Sequence, residues 1–262
     1  MRTIAIMNQK GGVGKTTTSV NLSAALAAAG KKVQLIDLDP QAHASLHLGL
    51  TFENEFDSVY DVLVKDVALN AVRRQVQDNL WLVPAHLDLA AADFELASVL
   101  GREKILADKI AEDNMEFDYI IVDCPPSLGV LTLNALVAVE EVVIPLQPHF
   151  LALHGLSKLL ETIELVAKRL NSKLRVSGVA LCLYDGHTTL ANDVRNDVKN
   201  FFGLHEGRPD AWSNVVVFDT NIRRNIRLAE APSYGQSIFD YDPKSNGAED
   251  YRALAQEILN ME

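Results

Sequence analysis

The chain has 262 residues, 24 Lys and Arg against 35 Asp and Glu for a formal net charge of −11, and 48% hydrophobic residues. This is ordinary globular composition with enough apolar material for a sizeable core, and no apolar run approaches the ~20 residues of a membrane-spanning helix. The acidic balance excludes a surface coated uniformly in positive charge while leaving room for a local basic patch.

In chain order, β-branched runs recur at Thr3–Met7, Val33–Leu38, Leu80–Val83, Tyr119–Val122, Glu141–Leu146, Val176–Leu183 and Asn214–Phe218, with helical patterns between them. That alternation predicts an α/β fold, a mostly parallel twisted sheet. The strands are near-continuous apolar runs, which predicts helices on both faces. After the first strand, Val20, Ala24, Ala27 and Ala28 share one helix face, and Gly30 ends that helix. Between Gly155 and Leu170, the residues Leu156, Leu159, Leu160, Ile163, Val166, Ala167 and Leu170 form another apolar stripe. Leu204–Ser213, with Gly207 and Pro209 in polar surroundings, reads as a surface loop. No repeat or linker divides the chain, so a single domain over 1–262 is expected. Cys124 and Cys182 stand alone and read as small buried residues. The N-terminus has no signal-like apolar stretch and starts directly at the first strand. A cytoplasmic protein without an appended helix-turn-helix domain is expected.

Between the first strand and its helix stands Asn8-Gln9-Lys10-Gly11-Gly12-Val13-Gly14-Lys15-Thr16-Thr17. A polyphosphate requires inward-pointing backbone N–H groups; glycines permit the conformations that aim them, and a helix N-terminus adds positive potential. Lys15 is placed to reach the β- and γ-phosphates, and the Thr16 hydroxyl to coordinate Mg²⁺. The strict G-x-x-x-x-G-K-[ST] pattern fails at Gln9, and K-G-G-x-G-K-T-T stands in its place. A plain glycine-rich turn is the competing explanation, and the strand and helix flanks weigh against it. Two acidic elements, Asp37-Leu38-Asp39-Pro40-Gln41 and Asp123-Cys124-Pro125-Pro126, follow the second strand and the Tyr119–Val122 run. Ligands in open α/β sheets sit beyond the strands' carboxyl ends, where these loops converge. An apolar run ending in Asp123 matches a magnesium-holding carboxylate, although a strand-end Asp taken alone is as often a cap or turn residue.

NQKGGVGKTT, LIDLDPQ, FDYIIVDCPPSLG, RLAEAPSYG and YDPKSNGAEDYRALAQEIL occur in this order over nearly the whole chain. Together they resemble the ParA/Soj partitioning ATPases, in the deviant Walker A class of P-loop NTPases that also holds MinD. The resemblance implies ATP and Mg²⁺ as cofactors, with nucleotide contacts from Lys10, Gly11, Gly12, Val13, Gly14, Lys15, Thr16 and Thr17. It implies catalytic roles for Lys10, Lys15 and Asp39, and a metal set of Thr16, Asp39 and Asp123. Lys10 matches the signature lysine that crosses an ATP-bound homodimer, Asp39 the switch aspartate that positions water, and Pro125–Ser127 the second switch. A second lysine neutralises charge developing on the phosphates only when dimerisation delivers it. The other explanation of Lys10 is a solvent-facing loop lysine. The resemblance further implies a weak ATPase stimulated by a ParB-like or cargo-adaptor protein.

Ile222–Ala229 contains Arg223, Arg224 and Arg227 and no acid. The resemblance places a DNA-contacting arginine at Arg227 and implies sequence-independent DNA binding, doubled in a dimer, with a nucleoid-associated location. A solvated loop is the bland alternative. Arg223 stands where the family has proline, and His187 where Tyr184-Asp185-Gly186-His187-Thr188 departs from the family's arginine. Gln147-Pro148-His149-Phe150 and His154 replace an acidic, aromatic family stretch, and His43 follows the switch aspartate in place of a family residue. MinD-like proteins bind membranes through a basic C-terminal helix. Here residues 249–262 carry Arg252 against Glu249, Asp250, Glu257 and Glu262, and their stripe of Tyr251, Leu254, Ala255, Ile258 and Leu259 reads as core. No membrane partner is expected. Two isolated cysteines also disfavour an iron–sulfur relative. The cargo, whether chromosome, plasmid, chemoreceptor array or carboxysome, is not encoded in a motif.

Overall fold

The computed structural model describes residues 1–51, 56–149, 155–186 and 188–261. One sheet contains β1 (Arg2–Ile6), β2 (Val33–Asp37), β3 (Arg74–Gln77), β4 (Leu80–Val83), β5 (Tyr119–Asp123), β6 (Glu141–Leu146), β7 (Arg175–Tyr184) and β8 (Val216–Arg223). Its order is β3-β4-β2-β5-β1-β6-β7-β8. Pairing is parallel except between β3 and β4. All seven predicted strands form. The added β3 has the sequence RQVQ, and its side chains are exposed or half-buried, so it offers no apolar run to detect. It joins β4 through Asn79 at φ +59°, a left-handed conformation suited to Asn in a tight hairpin.

Both faces of the central strands are covered. Ile4 and Ile6 of β1 and Tyr119 and Ile121 of β5 pack on one side with Leu22, Leu26, Leu254 and Ile258. Ala5, Met7, Ile120 and Val122 pack on the other with Leu136, Leu159, Leu160 and Ile163. This strict alternation between two cores is why the strands read as uninterrupted apolar runs, each large buried side chain contributing about 1.5–3 kcal/mol. The P-loop helix, Lys15–Ala28, runs under the sheet and is almost wholly buried. It ends where Gly30, at φ +83°, turns the chain and donates to the Ala27 carbonyl at 2.9 Å. The Leu156–Arg169 helix buries Leu156, Leu159, Leu160, Ile163 and Val166 as its spacing predicts.

The C-terminal helix, Asn246–Leu259, is capped by Ser245 and buries Tyr251, Leu254, Ala255 and Ile258. The Tyr251 hydroxyl lies 3.0 Å from the Thr18 hydroxyl of the P-loop helix, pinning the two helices together. Residues 204–213 form turns as expected, held down by Trp212 stacked on Phe201 with ring centroids 5.9 Å apart. β8 lies later than its predicted run and takes in Ile222 and Arg223, the start of the basic segment. The polar residues Asp219, Thr220 and Asn221 hide this end of the strand from a hydrophobicity pattern, because it is an edge.

Candidate functional site

The loop after β1 is anchored before it turns. Asn8 donates through Nδ2 to the Pro145 carbonyl of β6 at 2.8 Å, and its Oδ1 accepts the Lys10 N–H at 3.0 Å. Gly12 and Gly14 then take φ +73° and +93°, where any side chain would be strained. Space above Gly11 and Gly12 is open, so the main chain faces a cleft of about 380 Å³. Gly11, Gly12, Gly14, Thr16 and Thr17 line it, and Val13 is buried beneath. Opposite them stand Asp39, His43, Pro126 and Leu183. Leu183 itself has φ +53° at a register shift between β7 and β8, a strained residue at the cleft wall.

Lys15 is 7% exposed, and its Nζ donates to the Lys10 carbonyl at 3.1 Å, folded over the loop. Burial lowers its pKa, opposed by the nearby carboxylates of Asp123 and Asp39. Asp123, fully buried at the end of β5, accepts the Thr16 hydroxyl at 2.8 Å and the Ser19 hydroxyl at 2.7 Å. In the parallel register Asp37 of β2 stands beside Asp123. Burial, and then the neighbouring carboxylate, hold the Asp123 carboxyl well above the usual range, and burial does the same for Asp37. Asp37 shapes the next loop: it accepts the Ser45 N–H at 2.8 Å, the Ser45 hydroxyl at 2.7 Å and the Asp39 N–H at 3.2 Å. Asp39 in turn accepts the Gln41 N–H at 2.9 Å, and Ala42 at φ +51° completes the turn. Sequence reasoning gave Ser19, Asp37 and Ser45 no role. The first acid of Asp37-Leu38-Asp39 was the available signal, since a carboxylate at a buried strand end must find donors.

The structure therefore brings Gly11, Gly12, Gly14, Lys15, Thr16, Thr17 and Asp39 together around one cleft, with Asp123 buried directly behind Thr16. Lys10 is exposed, and its Nζ meets His149 Nε2. The basic segment behaves differently. Arg223 donates through its backbone N and Nε to Asp250 at 2.8 and 3.0 Å, and through Nη2 to Asp250 and Glu249 at 2.6 and 2.7 Å. These partners raise its pKa further and commit the guanidinium to the C-terminal helix. Arg227 pairs with Glu230 at 2.8 Å and lies 3.5 Å from Asp242. Arg224 is exposed, with its backbone N–H on the Tyr184 carbonyl at 3.2 Å. No acid lies within the run, yet folding brings three to it from sequence-distant turns and helices, and a fourth, Glu230, follows it directly. His187 and Phe150–His154 lie outside the described residues.

Glycine loop, buried strand-end aspartate and parallel sheet define a P-loop nucleoside triphosphatase of the deviant Walker A class. A family model described as an AAA domain matches residues 1–176. The chain is 47% identical to Sporulation initiation inhibitor protein Soj of Bacillus subtilis over 97% of each chain. It is 44% identical to Chromosome-partitioning ATPase Soj of Treponema pallidum, covering 98% of this chain and 97% of that one. Among solved structures, the Mycobacterium smegmatis protein titled cobyrinic acid a,c-diamide synthase, with bound ATP analog and magnesium, matches at TM-score 0.82 and 37% identity, covering 99% of this chain and 95% of that one. The chain belongs to the ParA/Soj family of partitioning ATPases.

Proposed function

We propose that residues 1–262 form one ATPase domain that binds ATP and Mg²⁺, pairs with a second copy, and binds DNA without sequence preference. In this reading the chain serves chromosome partitioning, is cytoplasmic and nucleoid-associated, and is a weak ATPase stimulated by a ParB-like or cargo-adaptor partner. The observation that carries it is the Thr16 hydroxyl 2.8 Å from a buried Asp123 beneath an open glycine loop. An all-oxygen pair of hydroxyl and carboxylate suits Mg²⁺, and Asp39 faces the same cleft. Held by Thr16 and Asp123, Mg²⁺ would supply neutralisation of the phosphate charge.

The chain's own groups supply the rest. Backbone N–H groups of Gly11–Thr17 cradle the phosphates at the N-terminus of the P-loop helix. Lys15, released from the Lys10 carbonyl, holds the phosphates of its own subunit, while Asp39 orients the attacking water. Lys10 reaches the phosphates of the second copy, so turnover requires pairing. Arg224 and Arg227 offer phosphate contacts to DNA, doubled by two-fold symmetry.

A MinD-like membrane role is the alternative. The buried apolar stripe of the C-terminal helix weighs against lipid insertion, and no helix of the described residues is long and apolar enough to cross a membrane. The test is fluorescence anisotropy on unrelated duplexes with ATP, ADP or no nucleotide, beside sedimentation with anionic vesicles. ATP-dependent binding to every duplex supports the proposal. Nucleotide-independent DNA binding overturns it, and ATP-dependent vesicle binding without DNA binding moves the membrane role ahead.

A further inference from the structure

The Lys10 side chain leaves the cleft and ends at His149, within the stretch that departs from the family's acidic, aromatic pattern. Its main chain is fixed on both sides: the N–H is held by Asn8 Oδ1 at 3.0 Å, and the carbonyl receives Lys15 Nζ at 3.1 Å. Asn8 also ties this turn to Pro145 of β6, four residues ahead of His149. Only the side chain is therefore left to move, and its ammonium meets His149 Nε2.

An ammonium has donors and no acceptor, so Nε2 must present a lone pair and the ring must be neutral with its proton on Nδ1. Burial lowers the His149 pKa, and the nearby positive charge of Lys10 lowers it further. The next cation, Lys15, is turned to the Lys10 carbonyl.

We infer that His149 is a positioning residue for Lys10: its neutral imidazole holds the ammonium within the separate subunit and must release it before Lys10 reaches a second copy. The inference rests on the proposed crossing of Lys10 between paired subunits. Pairing then competes with a contact inside each subunit, and a protonated His149 repels Lys10 instead of holding it. Acid conditions accordingly favour release.

Two measurements test it. In histidine-labelled protein with ADP, nitrogen NMR, assigned through His149→Gln, is expected to show Nδ1 protonated and a titration below that of an ordinary histidine. Lys10→Ala is expected to move that titration upward. An unchanged His149 titration in Lys10→Ala overturns the inference. The second measurement is the protein concentration for half-maximal pairing with a non-hydrolysable ATP analogue. His149→Ala is expected to lower it at pH 8 by roughly ten- to hundred-fold, because pairing releases two such contacts, one in each subunit, each equivalent to about one ordinary hydrogen bond. The difference should shrink towards pH 5.5, while His149→Gln, which keeps a neutral acceptor, should stay near the parent and vary less with pH. Equal behaviour of the Ala and Gln variants also overturns it. If Lys10→Ala pairs and hydrolyses ATP like the parent, the crossing role fails; the NMR result depends on the contact alone, so the two failures are distinguishable.

Discussion

Arg223 and Arg224 are neighbours in sequence and opposite in circumstance, and replacing each by alanine tests the proposed division between a structural and a DNA-facing arginine. Asp250 is 6% exposed and receives three donors of Arg223, its backbone N, Nε and Nη2. Arg223→Ala leaves that carboxylate with the backbone N–H alone of the three. Breaking a fully buried pair costs about 3–5 kcal/mol. The Arg223 side chain is 43% exposed, so solvent screening reduces the loss here to about 1–3 kcal/mol. Chemical denaturation is expected to show this as a lower midpoint at constant slope. Arg224→Ala is expected to change stability by less than about 0.5 kcal/mol, as at an ordinary surface position. DNA binding should respond in the reverse sense. The plot of log affinity against log salt flattens by about 0.9 for each phosphate contact removed, hence by about 1.8 when a dimer loses both Arg224 side chains. Arg223→Ala should leave that slope unchanged at temperatures where it stays folded. A flattened slope in Arg223→Ala with unchanged stability would refute the division and return Arg223 to the DNA surface.

Lys15→Ala is expected to abolish ATP binding by isothermal titration calorimetry, whereas Lys10→Ala keeps it and loses pairing or turnover; equal loss in both would contradict separate roles. Asp39→Ala should bind ATP and Mg²⁺ yet accumulate as an ATP-bound dimer by size exclusion with light scattering, and a monomeric, hydrolysing variant would remove its water-positioning role. His47 is buried, has an unpartnered Nε2, and burial pushes its pKa down to about 4. The unfolded chain then takes up a proton below pH 6.5 that the folded chain refuses, so stability is full above pH 6.5 and falls as pH drops towards 4. The loss is at most about 3 kcal/mol, and His47→Gln should remove that portion of the pH slope in urea titrations.

Features written contiguously in the sequence were legible. The glycine loop encodes its own backbone conformation, and the central strands announce a sheet covered on both faces because Ile4 and Ala5, or Ile121 and Val122, must each find a core. Asp123 was legible because it ends such a strand. β3 escaped because RQVQ at a sheet edge has no apolar face to display. The later half of β8 escaped for a related reason: Glu257 of the C-terminal helix accepts the Asp219 and Thr220 N–H groups at 3.0 and 2.7 Å, covering the edge with a carboxylate.

What sequence could not supply was charge in space. Ile222–Ala229 reads as three arginines without an acid, but β8 delivers Arg223 beside the C-terminal helix, where Glu249 and Asp250 occupy consecutive positions of its first turns. Arg227 finds Glu230 three residues on, and Asp242 returns from beyond the following turn. A run of basic residues predicts a basic surface only if the fold brings no acids to it, and that depends on which helix covers the sheet edge. His149 is the same lesson with opposite sign. In sequence it is part of an unexplained departure from an acidic family stretch, separated from Lys10 by more than half the length of the chain. β6 lies beside β1 in the sheet, and that adjacency puts the imidazole at the ammonium of Lys10. The chemistry of both places follows from strand order, and strand order is a property of the whole chain.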